Sequence, residues 1–170
     1  GRPATEVAIR DNTVFVFGIQ ISIGSISVGI GDPLGRLHGS VQFAYEPDTD
    51  IEAVLDRMAM EALLLASQSG IDKNRFIGVG LAVPGPVDED GRLLVHPVNL
   101  AWRNVAIADL LERRLGLPVH VEHNVRSMAL AEARFGGGKG LTSVGYVYLN
   151  AGLGAGLVVE GQPFSGGVNG

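Results

Sequence analysis

Residues 13–32 read TVFVFGIQISIGSISVGIGD, and the pattern of this stretch decides the fold. An apolar strand over 13–22 runs into a turn. A second strand over 25–32 sets Ser25, Ser27 and Gly29 against Ile26, Val28 and Ile30, and that period of two marks a strand buried on one face. Asp32-Pro33-Leu34-Gly35 supplies the next turn, and 36–45 reads as a third strand. Three successive strands with short turns make an antiparallel meander.

Beyond residue 48 the period changes. Thr49-Asp50-Ile51-Glu52 has the form of a capping box, in which hydroxyl and carboxylate satisfy the free amides of a helix start. Ile51, Val54, Leu55, Met58, Ala62 and Leu65 then keep helical spacing to Gly70. RFIGVGLAVPG (75–85) is a nearly continuous apolar run, the pattern of a central strand covered on both faces. After a turn at 88–91, Asn104 is placed to cap a helix that carries Val105, Ile107, Leu110, Leu111 and Leu115 and stops at Gly116. LPVHVE (117–122) is a short strand, Asn124 starts another helix, and Gly136 ends it. Strands at 143–150 and 155–161, joined by a glycine turn, complete the order βββ-α-β-α-β-α-ββ, an α/β chain with a mixed sheet.

Composition narrows the function classes. Hydrophobic residues make up 46% of the 170 residues and charged residues 18%, enough apolar surface for a sizeable core. Glycine occurs 25 times, about twice the usual ~7% and without a repeat, which points to tight turns and close backbone approaches. A net charge of −5 argues against a nucleic-acid surface in this stretch, because phosphate contacts need clustered Lys and Arg. With no cysteine there is neither a disulfide framework nor a thiolate metal site. No apolar run reaches the ~18 residues of a membrane span, so a cytoplasmic protein without a membrane partner is expected.

Several polar and glycine-rich stretches invite a sharper reading. Gly136-Gly137-Gly138-Lys139-Gly140 follows a helix and lacks the Ser or Thr of a P-loop. Gly152-Leu153-Gly154-Ala155-Gly156 lies between two strands, so it is a hairpin turn or a backbone cradle for an anion, not a dinucleotide fingerprint. His120, Glu122 and His123 do not form a metal set, since 120 and 122 face one way on a strand and 123 the other. Trp102, the single tryptophan, reads as core or rim packing.

Taken together, GRPA at the start, FGIQISIGSISVGIGDPLGRL, VGLAVPGPVDEDGRL, PVNLAWRNV, LGLPVHVEHNVRSMALAEARFG and YVYLNAGLGAGLVVEGQPFSGG resemble, in their order and spacing, the ROK family of sugar kinases and sugar-responsive repressors. The resemblance runs from residue 1 to residue 170. It implies an actin-like, ribonuclease-H-like lobe over 13–136 with a mixed five-stranded sheet and flanking helices. Residues 137–170 would open a second lobe whose remainder, with the family's zinc site, lies beyond residue 170. The opening 1–12 resembles the linker that follows a winged-helix DNA-binding domain in the family's repressors.

The same resemblance assigns the polar corner in VEHNVRS (121–127). Family kinases carry an Asn-Asp pair there, and the Asp takes the proton of the attacking sugar hydroxyl. Here His123 and Asn124 stand in those places, and an amide does not accept a proton at neutral pH, where general-base help is worth about 10²–10⁴ in rate. The first strand turn departs in the same direction. Gln20, Ser22 and Gly24 stand where the kinases place an Asp and small residues that manage magnesium and phosphate, and Asn150, Gly152 and Gly154 form a second degenerate phosphate loop. No cofactor or metal is expected in this chain.

The expected function is therefore a non-catalytic sugar-sensing domain of a transcription regulator, with Gly85, Asn99, His123 and Asn124 as the sugar-contacting positions. Asn99 and Asn124 would bond hydroxyls, while His123 shapes the pocket. Asn124 reads equally as a helix cap and Asn99 as a turn-maker. The alternative functions are a sugar kinase with an altered site and a dimerisation scaffold without ligand. The expected partners are a sugar, a second copy of the protein, and DNA through a domain outside this chain. The last hairpin is expected to leave Tyr146, Tyr148, Leu157 and Val159 short of apolar partners, so this stretch in isolation should self-associate. Light scattering checks this, and a clean monomer would contradict it.

Overall fold

The computed structural model describes residues 13–97, 100–150 and 152–165. The 1–12 linker and the final residues 166–170 fall outside them. The expected meander is present as β1 (Phe15–Ser22), β2 (Ser25–Gly31) and β3 (Leu37–Ala44). It is followed by α1 (Ile51–Ser69), a short 3-10 turn (Lys73–Arg75), β4 (Phe76–Val83), α2 (Ile107–Leu115), β5 (Val119–His123) and α3 (Asn124–Phe135). These five strands form one mixed sheet in the order β3-β2-β1-β4-β5. β1 pairs antiparallel with β2 and parallel with β4, and β5 is parallel to β4. A separate antiparallel sheet holds β6 (Ser143–Leu149), β7 (Leu153–Val159) and β8 (Gln162–Pro163). The two-residue β8 carries no sequence signal of its own.

Register explains the core. Phe17, Ile19 and Ile21 pair with Ile30, Val28 and Ile26, so all six side chains share one face, and all are buried. Val54, Leu55 and Met58 of α1, together with Ile107 and Leu111 of α2, complete the same cluster. The opposite face carries small residues: Gly18 pairs with Gly80 and Gln20 with Ala82. β4 is thus covered on one face among the described residues, not on both as its apolar run suggests. Its run is continuous because Gly80 and Ala82 fill the alternate positions between Val79, Leu81 and Val83.

Tertiary contacts override two helix starts. The Thr49–Glu52 capping box does not form: Asp50 is the N-cap of α1, without a side-chain cap bond. The Thr49 carbonyl instead accepts the Trp102 indole N–H at 3.0 Å, and the Glu52 carboxylate pairs with Arg114. Trp102 is buried and stacks on Tyr45. The second helix begins at Ile107, not at Asn104. Leu94 and Val105 exchange both backbone bonds, at 2.9 and 3.0 Å, and this bridge holds the chain extended past Asn104.

The last hairpin also differs from expectation. Tyr146 and Tyr148 pair with Gly156 and Gly154 on the half-buried face toward α3. Leu157 and Val159 are exposed as expected, joined by Val147, Leu149 and Leu153, so these five make the apolar face open to self-association. α3 sits very close to β7. A Cβ at Gly156 would lie 2.6 Å from the Val125 carbonyl oxygen and 2.8 Å from the Ala129 Cβ, and one at Gly154 would lie 2.8 Å from Val125. Gly156→Ala should therefore cost ~1–3 kcal/mol of stability through overpacking. Gly145→Ala, on the open face with nothing within 4 Å, should be close to neutral. Urea denaturation of both variants checks the pair.

Candidate functional site

A cleft of about 1380 Å³ opens where the C-terminal ends of β1, β4 and β5 face the second sheet. Crevices outside the carboxyl ends of strands are the usual ligand sites of open α/β sheets. The architecture brings together segments far apart in sequence: Ser22 from the β1–β2 turn, Gly85 after β4, His123 and Asn124 at the β5–α3 joint, and Asn150 and Gly152 from the β6–β7 turn all line it. Gly154 joins them, whereas Gln20 and Gly24 do not line the cleft. Gln20 donates through Nε2 to Ser22 Oγ at 3.3 Å. Asn99 lies outside the described residues.

Local constraints hold each wall. Gly85 has φ 153°, and a Cβ there would meet Pro97 Cα at 2.6 Å, so this turn admits only glycine. The Tyr45 hydroxyl donates to the Ser22 carbonyl at 2.9 Å and fixes the β1–β2 turn, and burial pushes the Tyr45 phenol up to about 12. The Asp88 carboxylate accepts the backbone N–H groups of Arg92 and Leu93, both at 2.7 Å, and shapes the turn beyond Gly85. Asn150 donates through Nδ2 to the Tyr148 hydroxyl at 2.9 Å.

Asn124 is the first residue of α3 and 8% exposed. The cap position belongs to His123, without a side-chain cap bond, so the cap alternative for Asn124 is not what the structure forms. Among the described residues the Asn124 amide has no hydrogen-bond partner, and it lines the cleft with both donors and acceptor available. Burial, then the Arg126 charge, lowers the His123 pKa below its ordinary 6.5, with Glu122 opposing. His123 is therefore a neutral imidazole at physiological pH. Glu122 is committed: its Oε1 accepts from His123 N–H at 2.6 Å and from Arg126 Nε–H at 2.8 Å, and Arg126 Nη2 lies in ion-pair contact at 2.6 Å.

Sequence reasoning missed Arg126, although its i,i+4 spacing from Glu122 was a usable sign of pairing. It also missed Tyr146 and Tyr148 as cleft residues, because their role depends on which hairpin face α3 covers. Among the described residues no group of three or more His, Asp or Glu side chains is arranged to hold a metal ion, and no helix is long and apolar enough to cross a membrane.

The ROK family profile matches residues 16–170. The chain belongs to the ROK family. It is similar to the xylose repressor of Caldicellulosiruptor bescii, 33% identical over 171 residues, covering 98% of this chain and 42% of that protein. It is also similar to the glucokinase of Streptomyces coelicolor, 30% identical over 142 residues, covering 84% and 43%. Among solved structures, a ROK family glucokinase from Streptomyces griseus in complex with glucose and AMPPNP superposes with a TM-score of 0.81 at 29% identity, covering 89% of this chain and 46% of the glucokinase. The α/β fold is thus that of the actin-like ROK sugar-kinase structures, with its mixed five-stranded sheet. This chain spans less than half the length of the curated relatives it matches, and those relatives include repressors and kinases alike.

The His123 environment predicts a pH dependence. Its native pKa is depressed, so the native state binds fewer protons than the unfolded chain once pH falls below about 6.5. Its contribution to stability is full above that value and is lost as pH drops through the native pKa. Urea midpoints at about pH 7.5 and about pH 5 should fall less for His123→Asn than for the unmodified protein. An equal fall in both would exclude a half-buried, neutral His123.

Proposed function

We propose that this chain is the sugar-sensing part of a ROK transcription regulator, holding an uncharged sugar without phosphorylating it. The observation that carries the reading is the unpartnered Asn124 amide lining the cleft, at the position where the resemblance to family kinases places the general-base Asp. Gln20 gives a second support, since it stands at the position of the metal-managing acid and is turned onto Ser22. Amides offer donors and acceptors to sugar hydroxyls but take no proton. The match to repressors extends over 98% of the chain, which also favours the regulator class.

In this reading Gly85, Asn99, His123 and Asn124 contact the sugar. Residues 13–136 form the first lobe and 137–170 begin the second, although α3 packs on the second sheet. DNA is bound by a winged-helix domain outside these residues, in a cytoplasmic dimer whose zinc site lies beyond residue 170. Sugar binding changes the angle between the lobes and so repositions the DNA-binding heads.

A second reading, an altered sugar kinase, is favoured by the likeness to the Streptomyces griseus glucokinase and by the neutral His123 imidazole, which can accept a proton. A coupled ADP-release assay on the whole protein across hexoses and pentoses separates the two. The sensor reading expects no turnover near the ~1–100 s⁻¹ of ordinary kinases and measurable sugar binding by calorimetry. Asn124→Ala should weaken that binding about tenfold, the loss of one or two ligand hydrogen bonds. Turnover at ordinary kinase rates would overturn the sensor reading.

A further inference from the structure

The cleft has a lopsided charge inventory. The charged side chains that line it are Asp88, Glu89, Glu122 and Arg126, with His120 and His123 as the titratable imidazoles. Three carboxylates therefore face one guanidinium, and that guanidinium is already engaged. Glu122 Oε1 accepts Arg126 Nε–H at 2.8 Å and the His123 backbone N–H at 2.6 Å, with Arg126 Nη2 in ion-pair contact at 2.6 Å. The two side chains are 29% and 18% exposed, so solvent screens this pair only partly.

These groups are what an oxyanion would seek: a guanidinium edge and the backbone amide of His123, at the joint between β5 and α3. Glu122 is tethered in that position by its own strand. A carboxylate held covalently at the edge of the cleft is present at very high effective concentration, and an incoming phosphate would have to displace it.

We propose that Glu122 is a built-in anion that fills a latent oxyanion niche and so excludes phosphorylated sugars from the cleft. The niche is closed by the protein's own carboxylate, and Asp88 and Glu89 add repulsion toward any free phosphate. The ligand class of the site is then the free, uncharged sugar, and Glu122 sets that class while Asn124 contacts the sugar itself. This inference rests on the sugar-sensing reading.

The test uses the whole protein in calorimetric titrations with glucose, xylose, glucose 6-phosphate, xylose 5-phosphate and inorganic phosphate. The unmodified protein should prefer a free sugar over its phosphate by about tenfold or more, the worth of one charge-assisted contact. Glu122→Gln keeps the side chain's length and an acceptor oxygen but removes the charge, leaving Arg126 unneutralised. It should raise affinity for the sugar phosphate and for inorganic phosphate about tenfold while changing free-sugar affinity far less. Arg126→Gln, which also breaks the pair but leaves no cation, should gain no phosphate binding. That contrast separates the niche from mere loosening of the joint. A sugar-to-phosphate ratio unmoved by Glu122→Gln, or an unmodified protein that takes the phosphate as well as the sugar, would overturn this inference alone. Absence of binding by all five probes would overturn the sensor reading and this inference together.

Discussion

β5 ends at His123 and α3 begins at Asn124, with no residue between them, and the rest of the site depends on that joint. A strand running straight into a helix leaves no slack, so the side chains at the junction take their directions from two rigid elements. β5 is fixed by its parallel register on β4, and α3 is fixed by the close approach of Gly154 and Gly156 to Val125 and Ala129. The cleft is therefore framed by packing on both sides. Its polar groups sit on a scaffold in which Gly154 and Gly156 are required by the close approach of the helix.

The joint also concentrates the electrostatics. Three polar residues in a row receive three different roles because their surroundings differ. Glu122 is bound to Arg126 and to its neighbour's amide, His123 is kept neutral by burial and the nearby guanidinium, and Asn124 is left without a partner. The Asn124 residue is 8% exposed, yet its amide atoms are not sealed off; they open onto the cleft, where a hydroxyl-bearing ligand can reach them. The same arrangement leaves the joint with no free carboxylate to take a proton.

The core and the functional face are separated by the alternation of the central strands. Phe17, Ile19 and Ile21 point toward α1 and α2, while Gly18, Gln20 and Ser22 occupy the other face. β1 and β4 contribute to the cleft only at their ends, where Ser22 and the segment after Val83 emerge, whereas β5 lines it from His120 to His123. Glycine abundance, which the composition already flagged, has two physical causes here. Gly85 holds a backbone angle closed to other residues, and Gly154 and Gly156 make room for a helix.

By itself the sequence determined the longer elements and their order, because period-two and period-3.6 patterns follow from local geometry that every residue carries with it. It also determined the chemistry available at positions 122–124, since residue type fixes which groups can accept a proton. The tertiary structure alone decided which of these residues meet. Thr49 lost its capping role to Trp102, Asn104 lost its helix to the Leu94–Val105 bridge, and Tyr146 and Tyr148 turned toward α3. It alone joined Ser22, Gly85, Asn124 and Asn150 around one cleft and closed Glu122 onto Arg126. Such pairings depend on distances between segments many residues apart, and no local pattern encodes those distances.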